Sequence, residues 1–452
     1  MINLKIKPNY EKLDSWASYA NDIMVEYAQC IDEGLCVEQY KELFEAVSKL
    51  ENTGIKKDFA DVIQKIVRSA KIRDDYKYNE PSTLDEIKVL RKEHSFKENS
   101  LDEKTLESKI HGAWMGRACG CLLGKPVECI RTDELVPLLK HSGNYPMHRY
   151  ILSTDITDEM CENFKFQLRG KAYADTVDGM PVDDDTNYVV LAQKIINDYG
   201  RDFKPADVAE AWIKYQPINA YFTAERVAFQ NFIKGYEPPL SAINENPYRE
   251  WIGAQIRGDY FGYINPGKPE QAADMAFRDA SISHIKNGIY GEMFASAMIA
   301  CAAVTDGIED IILGGIAQIP ASSRLYEAIA GVFEDYRSGV SQADEFNKIH
   351  TLFDEYSGHG WCHTVSNAMI VAAALLYGGG DFGKSICMAV ETGFDTDCNG
   401  ATVGSVLGMR NGIDGIGEEW KKPVNDKIHT SIFGVGTVSI SEMAKATLKH
   451  IE

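Results

Sequence analysis

Apolar residues along this chain recur at helical spacing and almost never alternate. Leu13, Trp16, Ile23, Met24 and Tyr27 fall on one helical face near the N-terminus. Val37, Tyr40, Leu43, Phe44, Val47 and Leu50 do the same, and Phe59, Val62, Ile63, Ile66 and Val67 make a third stripe. Gly34 and Gly54 punctuate the breaks. The polar stretch 73–80 ends at Pro81 and reads as a linker; Ser82 with Asp85 then caps a short helix carrying Leu84, Ile87 and Leu90. Residues 92–100 are charged and form a second connector. From about residue 106 glycine, alanine and serine enter the apolar runs. Segments 110–123, 184–196, 290–304, 367–376 and 399–409 read as buried helices. Only 429–438 alternates enough to suggest a strand. Residues 238–265, rich in Pro, Gly, Asn and aromatics, read as an ordered surface loop of the kind that carries binding groups. The pattern predicts an all-α protein, with a helical extension over 1–105 and a helical domain over 106–452.

Within that pattern, Gly112, Gly116, Gly120 and Gly124 lie four apart on one expected helix. Gly400, Gly404 and Gly408 repeat the spacing on another. Four residues apart is one helix face. Each glycine costs about 1 kcal/mol of helix propensity against alanine, so something must offset it. Close helix–helix approach is the natural candidate.

Composition removes several function classes. The 452 residues are 44% apolar and 25% charged, as in globular proteins. The formal net charge of −20 repels a phosphodiester backbone, so polymeric nucleic acid is not an expected partner. A bound cation can still invert the local sign for an anionic small molecule. The ten cysteines show no CxxC pair and no zinc-finger spacing, as in a reducing compartment. Residues 1–5 lack the apolar stretch of a secretory signal, and the longest nearly apolar run, 293–304, is too short to span a bilayer. A cytoplasmic protein with no membrane partner is expected.

Two acidic clusters carry the chemistry. Asp183, Asp184 and Asp185 directly precede the apolar run 188–191; Asp395 and Asp397 precede the small-residue helix at Gly400. One aspartate at a helix start caps free N–H groups and meets the positive dipole end. Three in a row fit that role poorly, because adjacent like charges raise each other's pKa. Five carboxylates in two apolar-flanked motifs suit a hard cation, Mg²⁺, Mn²⁺ or Ca²⁺, and two such clusters could share a pair of ions. Spacing alone leaves helix capping without metal as the alternative.

In their order, these motifs resemble the ADP-ribosylglycohydrolase family. Residues 112–128 are similar to its first helix, G-x-x-x-G-x-x-x-G-D-x-x-G, which ends in an acidic residue, here Glu128. Residues 183–186 resemble its S/T-D-D-S/T motif, 251–257 its G-x-x-M-R segment, 280–284 its A-S-L-T-H segment and 395–399 its D-T-D-T-N motif. The resemblance covers 106–420 and implies a compact orthogonal helical bundle with a binuclear Mg²⁺ centre, Mn²⁺ being an alternative. Asp183, Asp184 and Asp185 would serve one ion, and Asp395 and Asp397 the other, with Asp397 as bridge. Glu128, Asp184 and Asp397 would be the catalytic groups, and the implied reaction is hydrolysis of the glycosidic bond of an ADP-ribosyl group. A catalytically silent ADP-ribose-binding module is the alternative. Three positions depart from the pattern: Asp183 stands for Ser or Thr, Cys398 for Thr and Cys121 for Asp.

Four further residues are candidate substrate contacts. Arg257 could pair with a diphosphate, and Asp259 lies beside Tyr260 and Phe261, whose faces could stack on adenine. Loop anchoring explains Arg257 and Asp259 equally well. His284 falls in the matching 280–284 segment, where a satisfied structural histidine is the competing account. Tyr290 opens a helix and could line a cleft, as could Glu292. Trp361, Cys362 and His363 suggest a Cys/His zinc pair, but adjacent residues chelate poorly.

Overall fold

The computed structural model describes residue 9 and residues 15–452, so Leu13 lies outside the described residues. The chain is all-α: 22 α-helices and two three-residue strands among the described residues. The strands, Lys427–His429 and Thr437–Ser439, pair antiparallel at the two ends of the segment whose alternation suggested β structure. No helix of the described residues is long and apolar enough to cross a membrane.

The first helices build a small core of their own. Ala20, Ile23, Phe44, Val47, Ala60 and Ile63 pack together, which uses one residue or two from each N-terminal stripe. Phe59 and Val62, from the same third stripe, point outward. The main core is continuous through the rest of the chain. The segment 238–265 is not a surface loop. It folds into short helical turns, Leu240–Ile243, Ile252–Arg257 and Asp259–Tyr263, and its aromatics Tyr248, Trp251, Tyr260, Phe261 and Tyr263 are buried. Its Pro and Gly content marks frequent turns, not exposure.

At the centre, helix Glu103–Gly124 lies antiparallel against helix Thr396–Asn411. Their glycines form a ladder. A Cβ on Gly112, Gly116 or Gly120 would meet the carbonyl oxygen of Gly408, Gly404 or Gly400 at 2.3, 2.1 and 1.9 Å. These backbones touch, and no side chain fits between them. Gly120→Ala is therefore expected to force the helices apart and cost about 3 kcal/mol or more, at the upper end of overpacking effects. Gly331, inside helix Arg324–Arg337, has only the flexible tip of Lys348 near it, at 4.0 Å. Gly331→Ala should raise stability by about 0.4–1 kcal/mol. Denaturant unfolding of the two variants checks the contrast.

Candidate metal centre

The glycine ladder ends at the acidic motifs. Its last rung sets Gly124 against the backbone of Thr396, and the Thr396 hydroxyl donates to the Gly124 carbonyl at 3.0 Å. The turn after Gly124, carrying Lys125 and Glu128, thus lies beside Asp395 and Asp397. Two tight turns shape the approach: Gly393 and Phe394 have φ of 76° and 57°, and Cys129 has φ of 71°. Left-handed φ at the non-glycine residues Phe394 and Cys129 is backbone strain of the sort that collects at functional sites. Helix Asp184–Tyr199 brings the third element, with Asp183 at its N-cap.

Four of the five aspartates, Asp183, Asp184, Asp395 and Asp397, line one cleft of about 540 Å³ together with Glu128 and Lys125. That volume suits a ligand of nucleotide size. Asp185 sits just behind the wall. Carboxylate oxygens of Asp185 and Asp397 and the sulfur of Cys398 all lie within 4.8 Å of one another. Asp185 Oδ2 and Asp397 Oδ1 are buried without a hydrogen-bond partner. Buried, unpartnered carboxylate oxygens are costly, and a cation in their midst is the physical remedy. Helix capping does not explain the set. Asp183 does cap, accepting from the Asp185 N–H at 2.9 Å, but Asp395 makes no side-chain cap. Asp395 Oδ2 instead accepts from the Cys362 thiol at 3.6 Å.

The electrostatics match a centre built for positive charge. Burial, then repulsion from neighbouring carboxylates, raises Asp184, Asp395 and Asp397 above the ordinary aspartate range. Asp185 is raised too, by burial, although Arg117 opposes it. Glu128 is lifted well above the usual glutamate range, first by Asp397 and then by burial. Asp183 differs: burial would raise it, but Lys125, 2.5 Å away, holds it low.

Arg257, Asp259, His284 and Tyr290 do not line the cleft. Arg257 is fully buried among Glu225 (2.9 Å), Asp279 (2.5 Å) and Ser283 (2.9 Å), with its guanidinium over the Trp212 ring. It braces Glu225, which does face the cleft. Asp259 accepts from Arg117 at 2.7 Å, and Arg117 in turn grips both the backbone carbonyl and carboxylate of Asp185. His284 is buried, with Nδ1 2.8 Å from the Ser283 hydroxyl, and burial lowers its pKa well below the usual value. Tyr290 donates to the Pro81 carbonyl, in the connector after the N-terminal helices. Glu292 is buried beside Arg257, 3.6 Å from it. Similarity of the 251–257 and 280–284 segments, which hold Arg257 and His284, does not separate a residue touching ligand from one supporting the wall.

The Cys362 and His363 pair also resolves. Cys362 faces the cleft, whereas His363 turns toward His359 and Asp32. That second group is a poor metal site. The Trp251 indole N–H donates to His359 Nδ1 and the Val365 backbone N–H to His363 Nδ1, each at 3.1 Å. In neutral rings both protons then sit on Nε2, so the rings turn N–H groups, not lone pairs, toward Asp32.

Sequence reasoning passed over Lys125, Glu225, Trp361 as a wall residue, and the aromatic pair Trp16 and Phe222 at the cleft, whose rings meet edge to face at 5.7 Å. Lys125 stood inside the matched first-helix motif, and its charge next to an acidic site was the available signal. Nothing local marks the others.

With the geometry in place, comparison with known proteins adds the family. Residues 102–450 match the family model described as ADP-ribosylglycohydrolase. No curated relative matches the chain. A solved structure described as an ADP-ribosylglycohydrolase-related protein complex is similar at 17% identity and a TM-score of 0.48, covering 77% of this chain and 98% of that one.

Proposed function

The chain belongs to the ADP-ribosylglycohydrolase family, whose members hydrolyse glycosidic bonds, and from that premise we propose that it cleaves the bond at the anomeric carbon of an ADP-ribosyl group in the cleft between the two aspartate clusters. The observation that carries this is that four aspartates from two helix starts line one cleft and a fifth, Asp185, groups with Asp397, with Asp185 Oδ2 and Asp397 Oδ1 buried and unpartnered. Asp184, Asp185, Asp395 and Asp397 would hold the cation, Mg²⁺ or Mn²⁺. Bound there, a divalent ion supplies a positive charge for ribose hydroxyls and for the charge that develops on bond cleavage.

The protein's own groups do the rest. Glu128, half-buried at the cleft wall beside Asp397, keeps its proton to higher pH than a free glutamate. It is placed to give that proton to a leaving group and, once ionised, to take one from water. Arg117 and Asp259 fix Asp185, and Arg257 fixes Glu225. Trp16, Phe222 and Trp361 give the cleft aromatic walls on which a base can stack.

The decisive assay measures release of free ADP-ribose from ADP-ribosylated arginine and serine peptides, with chelator and with added Mg²⁺ or Mn²⁺. Cation-dependent release supports the assignment. Calorimetric ADP-ribose binding without release from either linkage would favour the silent binding module.

Cation binding should also depend on pH in a definite direction. Asp184, Asp185, Asp395, Asp397 and Glu128 all have folded-state pKa values raised above their unfolded ones. The stability each contributes is complete below the ordinary carboxylate range and is lost as pH rises through its raised value. A cation replaces those protons. The gain in Tm on adding Mn²⁺ should therefore be small near about pH 5 and grow toward about pH 8, as thermal scans with and without the ion will read.

A further inference from the structure

Lys125 sits against a second group of possible ligands, Cys121, Asp183 and Asp185, whose ligand atoms lie within 4.8 Å of one another. Its ammonium lies 2.5 Å from Asp183 Oδ2 and lines the same cleft as Asp397. The other oxygen of Asp183 accepts the Asp185 N–H at 2.9 Å. Both oxygens of Asp183, which the sequence places among the ligands, are thus engaged by protein donors. On the far side of the centre the picture is reversed: Asp185 Oδ2 and Asp397 Oδ1 have no partner, and Cys398 stands with them.

We propose that this centre takes one divalent cation, among Asp185, Asp397, Asp184 and Asp395, and that Lys125 serves as a built-in positive charge in place of a second ion. This rests on the cation-centre assignment above and replaces the binuclear expectation drawn from the resemblance. Lys125 and Asp183 form a compensated pair: the carboxylate adds a charge and the ammonium answers it at hydrogen-bond distance. A lysine cannot leave during turnover, so the half of the cleft beside Asp183 is permanently charged. That half presents an N–H donor to a ligand oxygen where a metal would present an open coordination position.

The test is ion stoichiometry, with Mn²⁺ as the probe. Dialysed full-length protein is titrated calorimetrically and its electron paramagnetic resonance spectrum recorded. One equivalent at high affinity with the spectrum of an isolated Mn²⁺ is expected. Lys125→Gln, shown to be folded by circular dichroism, should bind a second equivalent and give an exchange-coupled spectrum. Two coupled ions in the unaltered protein would overturn the proposal and leave the cation-centre assignment standing, as would a folded Lys125→Gln that stays at one. No bound ion in either form would overturn both. Should Lys125→Gln not fold, the spectrum of the unaltered protein decides alone.

Discussion

Asparagine at position 397 should abolish cation-dependent turnover while leaving the fold intact. Asp397 is 2% exposed, lines the cleft, and has one carboxylate oxygen without a partner. In the ion-free protein it is a source of repulsion: it is the first cause of the raised pKa of Glu128 and contributes to that of Asp395. Removing its charge therefore relieves repulsion in the ion-free protein, and the metal-free Tm should hold or rise. The loss falls on the loaded state. A bound cation is worth several kcal/mol of transition-state charge stabilisation, so losing ~4 kcal/mol of it is a drop of about 10³-fold in kcat/KM. Mn²⁺ affinity should fall with it. Glu128 should then titrate closer to the ordinary glutamate range, so residual activity that needs its proton would lose its alkaline limb at lower pH. The assay for free ADP-ribose, calorimetry with Mn²⁺ and a thermal scan together check the set. A variant with unaltered Mn²⁺ binding would remove Asp397 from the centre.

The same residue illustrates what sequence could and could not carry. Local chemistry was legible: aspartates at two helix starts, and glycines at intervals of four that demand a touching helix. Those glycines bring Gly124 to Thr396, and with them Glu128 to Asp397. That pairing spans more than 260 residues of chain, yet the ladder makes it follow from spacing. Support residues were not legible. Arg257 reads equally as a diphosphate contact or as an anchor, and only its burial among Glu225, Asp279 and Ser283 shows its charge already spent. Segment 238–265 failed for a related reason: turn-forming residues report backbone conformation, and burial is set by what packs over them. The N-terminal stripes predicted helices but not their destination. That docking uses charged residues, which any surface helix carries.

Glu33→Ala tests that docking and should be among the most destabilising single changes in the chain. Glu33 comes from the extension, at the end of helix Ile23–Asp32, yet it is 4% exposed. Arg249 donates to it at 2.7 Å and Lys286 at 2.7 Å, while Glu26 accepts from the other side of Arg249. The network continues through Gln29 to Glu250 and through Arg324 to Glu80. Removing one partner leaves Arg249 and Lys286 under-compensated away from water, which costs about 3–5 kcal/mol. That is a large fraction of the ~5–15 kcal/mol that holds a domain folded. An exposed pair from the same part of the chain gives the control. Lys77 and Glu327 lie 2.8 Å apart but are 62% and 58% exposed, so Glu327→Ala should cost no more than ~1 kcal/mol. The pH dependence separates a lost ion pair from lost packing. Burial would raise the Glu33 carboxyl, but Arg249 and Lys286 hold it below the ordinary glutamate range. Its contribution is present above the unfolded glutamate value and disappears as pH falls through the lowered one. The gap between unaltered protein and Glu33→Ala should accordingly be widest near neutrality and narrow in acid. A gap that stayed constant down to about pH 3 would assign the loss to packing and not to charge.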